Sequence, residues 1–198
     1  MLKIMSKADL AVLAVQGVTQ GKNIIDWTYF DDLQVAQAGT TSLRFFQRAF
    51  GQPGVTLEQT NMEIPGQLPK DYEFVIQEIV LKPYAGSAKT VVSAVTEQAN
   101  IIEAGVAQLF IGNRPFYQCR LDVLAGGGLH GFSSTFQTSN VFYAASRRGE
   151  CGKLEYMPKV DGSTSFALQV DYNVAPTLVA NSRLMAKLKG KLVRPSAA

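Results

Sequence analysis

Histidine is all but missing from this chain: His130 is the only one in 198 residues. A mononuclear zinc or iron centre normally draws on several His or Cys ligands at workable spacings. The two cysteines, Cys119 and Cys151, make no CxxC pair and no cluster with His130. Metal chemistry is therefore not expected, and the shortage disfavours a metal-binding cupin-type enzyme. A Cys–His nucleophile pair is formally available, but no spacing brings those residues together. No G-x-S-x-G elbow is present, and Ala125–Gly131 (AGGGLHG) matches neither phosphate-binding glycine pattern. That stretch reads as a loop needing unusual φ angles or close backbone contact. Among the scattered carboxylates (Asp26, Asp31, Asp32, Glu73, Glu78, Asp122, Glu155), no pair stands out as a glycosidase acid and base. The sequence predicts no catalytic residue, no metal and no cofactor.

Charge is scarce as well. Charged residues make up 18% of the chain, against roughly 25% for ordinary soluble domains. Such a protein is either coated with Ser, Thr and Gln or covered over much of its surface by partners. The formal net charge of +3 does not suggest a dedicated nucleic-acid binder. Long hydrophobic runs are also lacking. Leu10–Val15 (LAVLAV) is interrupted by Gln16 and Gly17. It is too short for a secretion signal or for a span of about 20 residues. The expectation is a chain with no membrane span, intracellular when synthesised. The two thiols read as buried or half-buried, because a core of this size needs no disulfide staple.

What the chain does have is apolar alternation broken by turn residues. Hydrophobic residues reach 46%. Ile24–Phe30 and Thr40–Phe46 read as strands, with a turn suggested by Asp31 and Asp32 between them. Gln47–Gly54 reads as loop. Pro65-Gly66 marks a turn ahead of a strand over Asp71–Leu81, whose alternation breaks at Glu78 as a bulge would break it. Pro83 is expected to end that run. Thr90–Ala104 is ambiguous, and its apolar spacing permits a helix ended by Gly105. Ala107–Ile111 and Arg114–Val123 flank a Gly112-Asn113 turn, and Pro115 puts the second of them at an edge or after a bulge. Lys153–Tyr156 reads as a short strand. Asp161-Gly162 is a hairpin signal. Ser165–Tyr172 places Phe166, Leu168, Val170 and Tyr172 on one face. Arg183–Val193 places Leu184, Ala186 and Leu188 on one face, with Gly190 as a bulge and Leu192 out of phase beyond it. The count, about eight to ten short strands with one short helix allowed, predicts an all-β protein: a jelly-roll-like two-sheet sandwich. Residues 1–16 read as an N-terminal arm and 17–198 as one domain. The expected core includes Leu43, Phe45, Phe74, Ile76, Leu109, Ile111, Phe166, Leu168, Val170, Leu184 and Leu188.

Two groups of residues are candidates for contacts. From Asn181 onward there are five basic residues, Arg183, Lys187, Lys189, Lys191 and Arg194, and no acidic one. On a strand, Lys187, Lys189 and Lys191 share one face. Three readings stay open: an edge strand guarded by lysines, a particle interior that meets phosphate, or a contact with acidic neighbours. Trp27, Tyr29, Phe50, Tyr84 and Tyr143 lie near turns or loops and are the candidate interface aromatics.

Three stretches resemble small viral jelly-roll capsid proteins of tailless bacterial viruses. They are residues 59–81 (QTNMEIPGQLPKDYEFVIQEIVL), 109–132 (LFIGNRPFYQCRLDVLAGGGLHGF) and 184–195 (LMAKLKGKLVRP). The resemblance implies a non-enzymatic virion protein, a shell or vertex subunit that assembles around a bacteriophage genome. Its partners would be copies of itself and other virion proteins, with non-specific contact to viral nucleic acid. A major shell protein with two rolls in one chain is not expected at this length. The competing reading is a carbohydrate- or receptor-binding β-sandwich of an attachment structure.

Overall fold

The computed structural model describes residues 4–5, 22–37, 39–84, 100–103, 105–124, 153–178 and 180–195. They form nine strands: β1 (Ile4–Met5), β2 (Lys22–Val35), β3 (Ser42–Phe45), β4 (Glu73–Tyr84), β5 (Gly105–Ile111), β6 (Arg114–Arg120), β7 (Met157–Asp161), β8 (Phe166–Tyr172) and β9 (Ser182–Pro195). Residues 100–103 are helical, and Leu121–Leu124 makes one further helical turn.

The topology follows one rule. β2 pairs with β9, β3 with β8, β4 with β7 and β5 with β6, all antiparallel. These are the nested pairings of one long hairpin closing at the β5–β6 turn. Rolling that hairpin brings β9 against β4 and β8 against β5. The result is a sheet in the order β1-β7-β4-β9-β2 facing a sheet in the order β3-β8-β5-β6. A rolled hairpin of eight strands in two sheets is a jelly roll. The expected fold class is therefore present.

Alternation builds the core between the sheets. All of the expected core residues named above are buried there. Tyr29 ties the two layers together. Its ring meets Phe74 edge-on at 5.0 Å within its own sheet and lies 6.5 Å from Phe166 across the sandwich. The break in β4 is a bulge between Ile76 and Glu78. It switches the inward set from Phe74 and Ile76 to Ile79 and Leu81, as the pattern required. The Pro65-Gly66 turn also forms: Gln67 donates its N–H to the Ile64 carbonyl, and Gly66 has φ 66°. β6 is an edge strand with a register shift beside Pro115.

Five expectations are corrected. Asp31 and Asp32 are not a turn: β2 runs straight through them to Val35. Gly190 carries no bulge in β9, whose ladder with β2 is unbroken from Lys22↔Pro195 to Val35↔Ser182. Leu192 is accordingly in phase and packs in the core. The irregularity lies in the partner, because Gly190 sits opposite Ile76 at the β4 bulge. There a Cβ would come within 1.9 Å of the Val75 carbonyl oxygen, so only glycine fits. Pro83 does not end β4, which continues to Tyr84. Pro83 pairs with Leu184 one residue from the strand's end and beyond the last residue of the ladder with β7, a position where proline is tolerated. Asp161-Gly162 is a turn but no hairpin, since β7 and β8 belong to opposite sheets. Finally, Lys153–Tyr156 supplies only an isolated bridge from Lys153 to Glu78, and the strand begins at Met157.

Candidate functional site

The basic strand β9 lies inside its sheet, between β4 and β2. It is not an edge, so the edge-guard reading of its lysines is overturned. Alternation turns Leu184, Ala186, Leu188 and Leu192 into the core and Lys187, Lys189 and Lys191 to the outer face. The register then decides what the lysines meet. Lys191 stands opposite Asp26 on β2, and Lys189 opposite Glu78 on β4. Lys191 Nζ lies 2.7 Å from Asp26 Oδ1, and Lys189 Nζ lies 3.1 Å from Glu78 Oε2. Lys187 faces Phe30 and Val80. Arg183 Nε is 3.1 Å from Asp32 Oδ1. Arg194 is exposed near the end of the strand. A run that is purely basic in sequence thus becomes a face of alternating sign in space.

The pattern extends toward β7. Glu73 accepts from Lys22 at 3.0 Å and from Lys159 at 2.9 Å, and Lys159 also reaches Asp161 at 2.9 Å. Burial alone would raise the Glu73 carboxyl, but the two lysines overcome it and hold the group below its ordinary range. Burial works against the Lys159 charge too, and Asp161 with Glu73 outweighs it, so that ammonium is held above its usual value. An open groove at this end is lined by Lys22, Lys70, Asp71, Tyr72, Glu73 and Asp161, again of mixed sign. Such exposed or half-exposed pairs contribute about 0–1 kcal/mol each. Their effect is to cancel charge across the face.

A second polar cluster is buried. Asp31 and Asp32 are both wholly inaccessible to solvent. Asp31 accepts from Arg48 Nη2 at 2.7 Å, from the Phe46 N–H at 2.7 Å and from the Asp32 N–H at 3.1 Å. Burial pushes its carboxyl above the ordinary range, and Arg48 with the two backbone donors offsets only part of that. Arg48 also donates to the Asp32 carbonyl at 2.8 Å. This pins the chain at Phe46, a non-glycine residue with φ 68°, a conformation most side chains avoid. The segment that follows covers β2. Asp32 donates its N–H to the Gln59 carbonyl at 2.8 Å. The Asn61 side chain accepts from the Phe30 N–H and donates to the Thr28 carbonyl. Residues 59–61 thus stand in for a neighbouring strand along the middle of β2. The signal was in the sequence: Asp31 and Asp32 interrupt an aromatic run that has no Gly or Pro to turn it.

The candidate aromatics divide. Trp27 and Phe50 are 38% and 41% exposed and remain available for contacts. Tyr84 is half-buried, with its hydroxyl 3.8 Å from Met185 Sδ and its ring 4.9 Å from Lys82 Nζ. Tyr29 is core: it is 5% exposed, and burial drives its phenol far above the usual range. Its position near an apparent turn at Asp31 had suggested an interface, and with the turn gone that suggestion goes too. Tyr143, His130, Cys151 and the Ala125–Gly131 loop lie outside the described residues. Cys119 is a half-buried thiol that burial pushes up, the opposite of activation.

Among the described residues, no group of three or more His, Cys, Asp or Glu side chains is placed to hold a metal ion. None of their helices is long and apolar enough to cross a membrane. No family model matches this chain, and no curated protein matches it.

Proposed function

We propose that this chain is a structural subunit of a virus particle, one jelly roll that assembles with copies of itself and carries no catalytic site. Fold alone does not set function, and jelly rolls also serve lectins and cupin enzymes. The observation that carries the reading is the outer face of the five-stranded sheet. It is broad and crossed by β9, and Lys22, Lys159, Lys189 and Lys191 are each paired with a carboxylate of the same subunit. Repeated weak contacts suit such a surface, because many copies make an assembly stable even when each interface is modest. The low charged fraction of 18% points the same way. A lectin would instead gather exposed aromatics over a groove. The groove beside Glu73 is lined mainly by charged side chains, with Tyr72 its one aromatic. In this reading the protein is made in the host cytoplasm and ends in the virion. Lys187, Lys189 and Lys191 are subunit-contact residues before they are genome contacts, because Lys189 and Lys191 already hold Glu78 and Asp26.

The test is the size and shape of the purified protein, by light scattering followed by electron microscopy. Rings, trimers or pentamers that close into regular larger objects are expected. A monomer that persists across salt and concentration would overturn the reading, and a glycan-binding screen would then take its place.

A further inference from the structure

The sheet edges differ in how they are closed, and an open edge is a template for another strand. β6 is blunted by Pro115, a bulge and the charges of Arg114 and Arg120. β3 is only four residues long, and β1 only two. β2, with 14 residues, is the longest edge strand, and only its second half is closed. There the Phe30 and Asp32 N–H groups and the Thr28 carbonyl point away from β9 and are taken up by Asn61 and Gln59. Alternation turns the backbone groups of Lys22, Ile24 and Asp26 to the same side, and no backbone group of a described residue closes them. This half carries no proline, glycine or bulge, and its ladder with β9 is unbroken.

The side chains decide what fits the open half. Lys22, Ile24 and Asp26 share the outer face, the face opposite Tyr29. Two copies meeting here antiparallel about a twofold axis set this stretch against itself. Centred on Asp26, the pairing opposes two carboxylates. Centred on Ile25, it sets each Ile24 against a charged Asp26. Centred on Ile24, it sets Lys22 of each copy against Asp26 of the other, and Ile24 against Ile24. Opposite charges directly across antiparallel strands stabilise a pair and like charges destabilise it. Asp26 has a side chain 81% exposed and holds Lys191 through Oδ1, which leaves its other oxygen for a second lysine. The ladder stops on each side where Asn61 takes the Thr28 carbonyl. We infer that the first half of β2 is a self-pairing edge, joining two copies of the chain by antiparallel strand addition centred on Ile24, with about six backbone hydrogen bonds. The inference rests on the self-assembling reading above and names one of its contacts.

Cysteine trapping tests it in the full-length chain, with Cys119 and Cys151 replaced by serine. Facing Cα atoms in such a pair lie about 5.5 Å apart, within disulfide reach. One preparation carries Lys22→Cys and a second carries Asp26→Cys. They are mixed, assembled and oxidised, with light scattering run in parallel on the parent chain. A disulfide between the two chains is expected, giving a band at twice the 21.5 kDa chain mass. Ile24→Cys alone, which keeps both charges, should give the same band, and Asp26→Cys alone should give none. Particles that yield neither expected band would overturn the edge pairing and leave the assembly reading standing. A band from Asp26→Cys alone as strong as that of the mixture would also overturn it. A parent chain that stays monomeric would overturn both.

Discussion

Arg48 is the most informative residue to remove. Its guanidinium faces Asp31, a carboxylate with no solvent access. Deleting one partner of a buried ion pair strands the other charge and costs about 3–5 kcal/mol. Arg48 itself is 29% exposed, so water screens part of the pair, and Arg48→Ala should fall at the low end, about 3 kcal/mol. In a domain of this size that corresponds to a melting temperature lower by about 6–12 °C. The sign of a companion substitution is the sharper check. In the Arg48→Ala background, Asp31→Asn removes the stranded charge while its amide oxygen still accepts the Phe46 N–H. It should recover about 1–2 kcal/mol. pH gives the same answer by another route. Without Arg48 the Asp31 carboxyl rises further above its unfolded value, so stability is greatest where the group is protonated and is lost as pH rises through the folded pKa. The deficit of Arg48→Ala should therefore shrink from pH 7 toward pH 5. Urea unfolding followed by the fluorescence of Trp27, the sole tryptophan, reports it, with circular dichroism to check that unfolding is two-state. A deficit under about 1 kcal/mol, within the range of ordinary surface changes, would refute the account. So would a double variant less stable than Arg48→Ala alone.

Three further outcomes follow from the same geometry. Gly190→Ala drives a Cβ into the Val75 carbonyl and should cost about 2–4 kcal/mol; a melting curve matching the parent would mean that the β4 bulge adjusts freely. Glu73 is held below its ordinary range by Lys159 and Lys22, so its contribution is full above its unfolded value and lost as pH falls through the folded one. The Glu73→Gln variant should accordingly lose up to about 1 kcal/mol near neutral pH and converge on the parent in acid, as read from urea midpoints. Freeing the lysines by Asp26→Asn with Glu78→Gln should steepen the salt dependence of nucleic-acid binding, adding up to about 2 to the log–log slope; an unchanged slope in a titration from low to high salt would show that those ammonium groups meet no phosphate.

The β pattern was legible where one side chain in two must be apolar. Phe166, Leu168 and Val170, or Phe74 and Ile76 with the break at Glu78, announce strand, face and bulge without help from the rest of the chain. What was not legible depended on partners distant in sequence. Asp31 and Asp32 look like turn formers until Arg48 and Arg183 are seen beside them, 17 and 151 residues away. Leu192 is a different case: four residues beyond Leu188 it is in phase by alternation alone, and the bulge assigned to Gly190 to explain it belongs to β4. Gly162 fits a hairpin turn, yet its neighbours lie in opposite sheets, and its close approach to the Lys70 carbonyl demands the glycine. The lysines of β9 suggested an edge because the acidic residues that balance them sit on β2 and β4.

Nested pairing explains how that balance arises. When the first and last long strands of a rolled hairpin pair, the last strand is enclosed between two others, here β2 and β4. Its lysines rise from the outer face, where the side chains of Lys189 and Lys191 are 45% and 34% exposed. Their ammonium groups stand above a sheet surface where Val75 and Val193 are nearly inaccessible. The lysine stems suit that apolar floor, and the heads of Lys189 and Lys191 reach carboxylates one strand away. Asp26 and Glu78 occupy those positions in register. A face built this way is neutral at short range and apolar beneath, so a neighbour that docks on it displaces water without having to neutralise a field. That property, more than the count of basic residues in the last strand, is what the proposed contact between copies rests on.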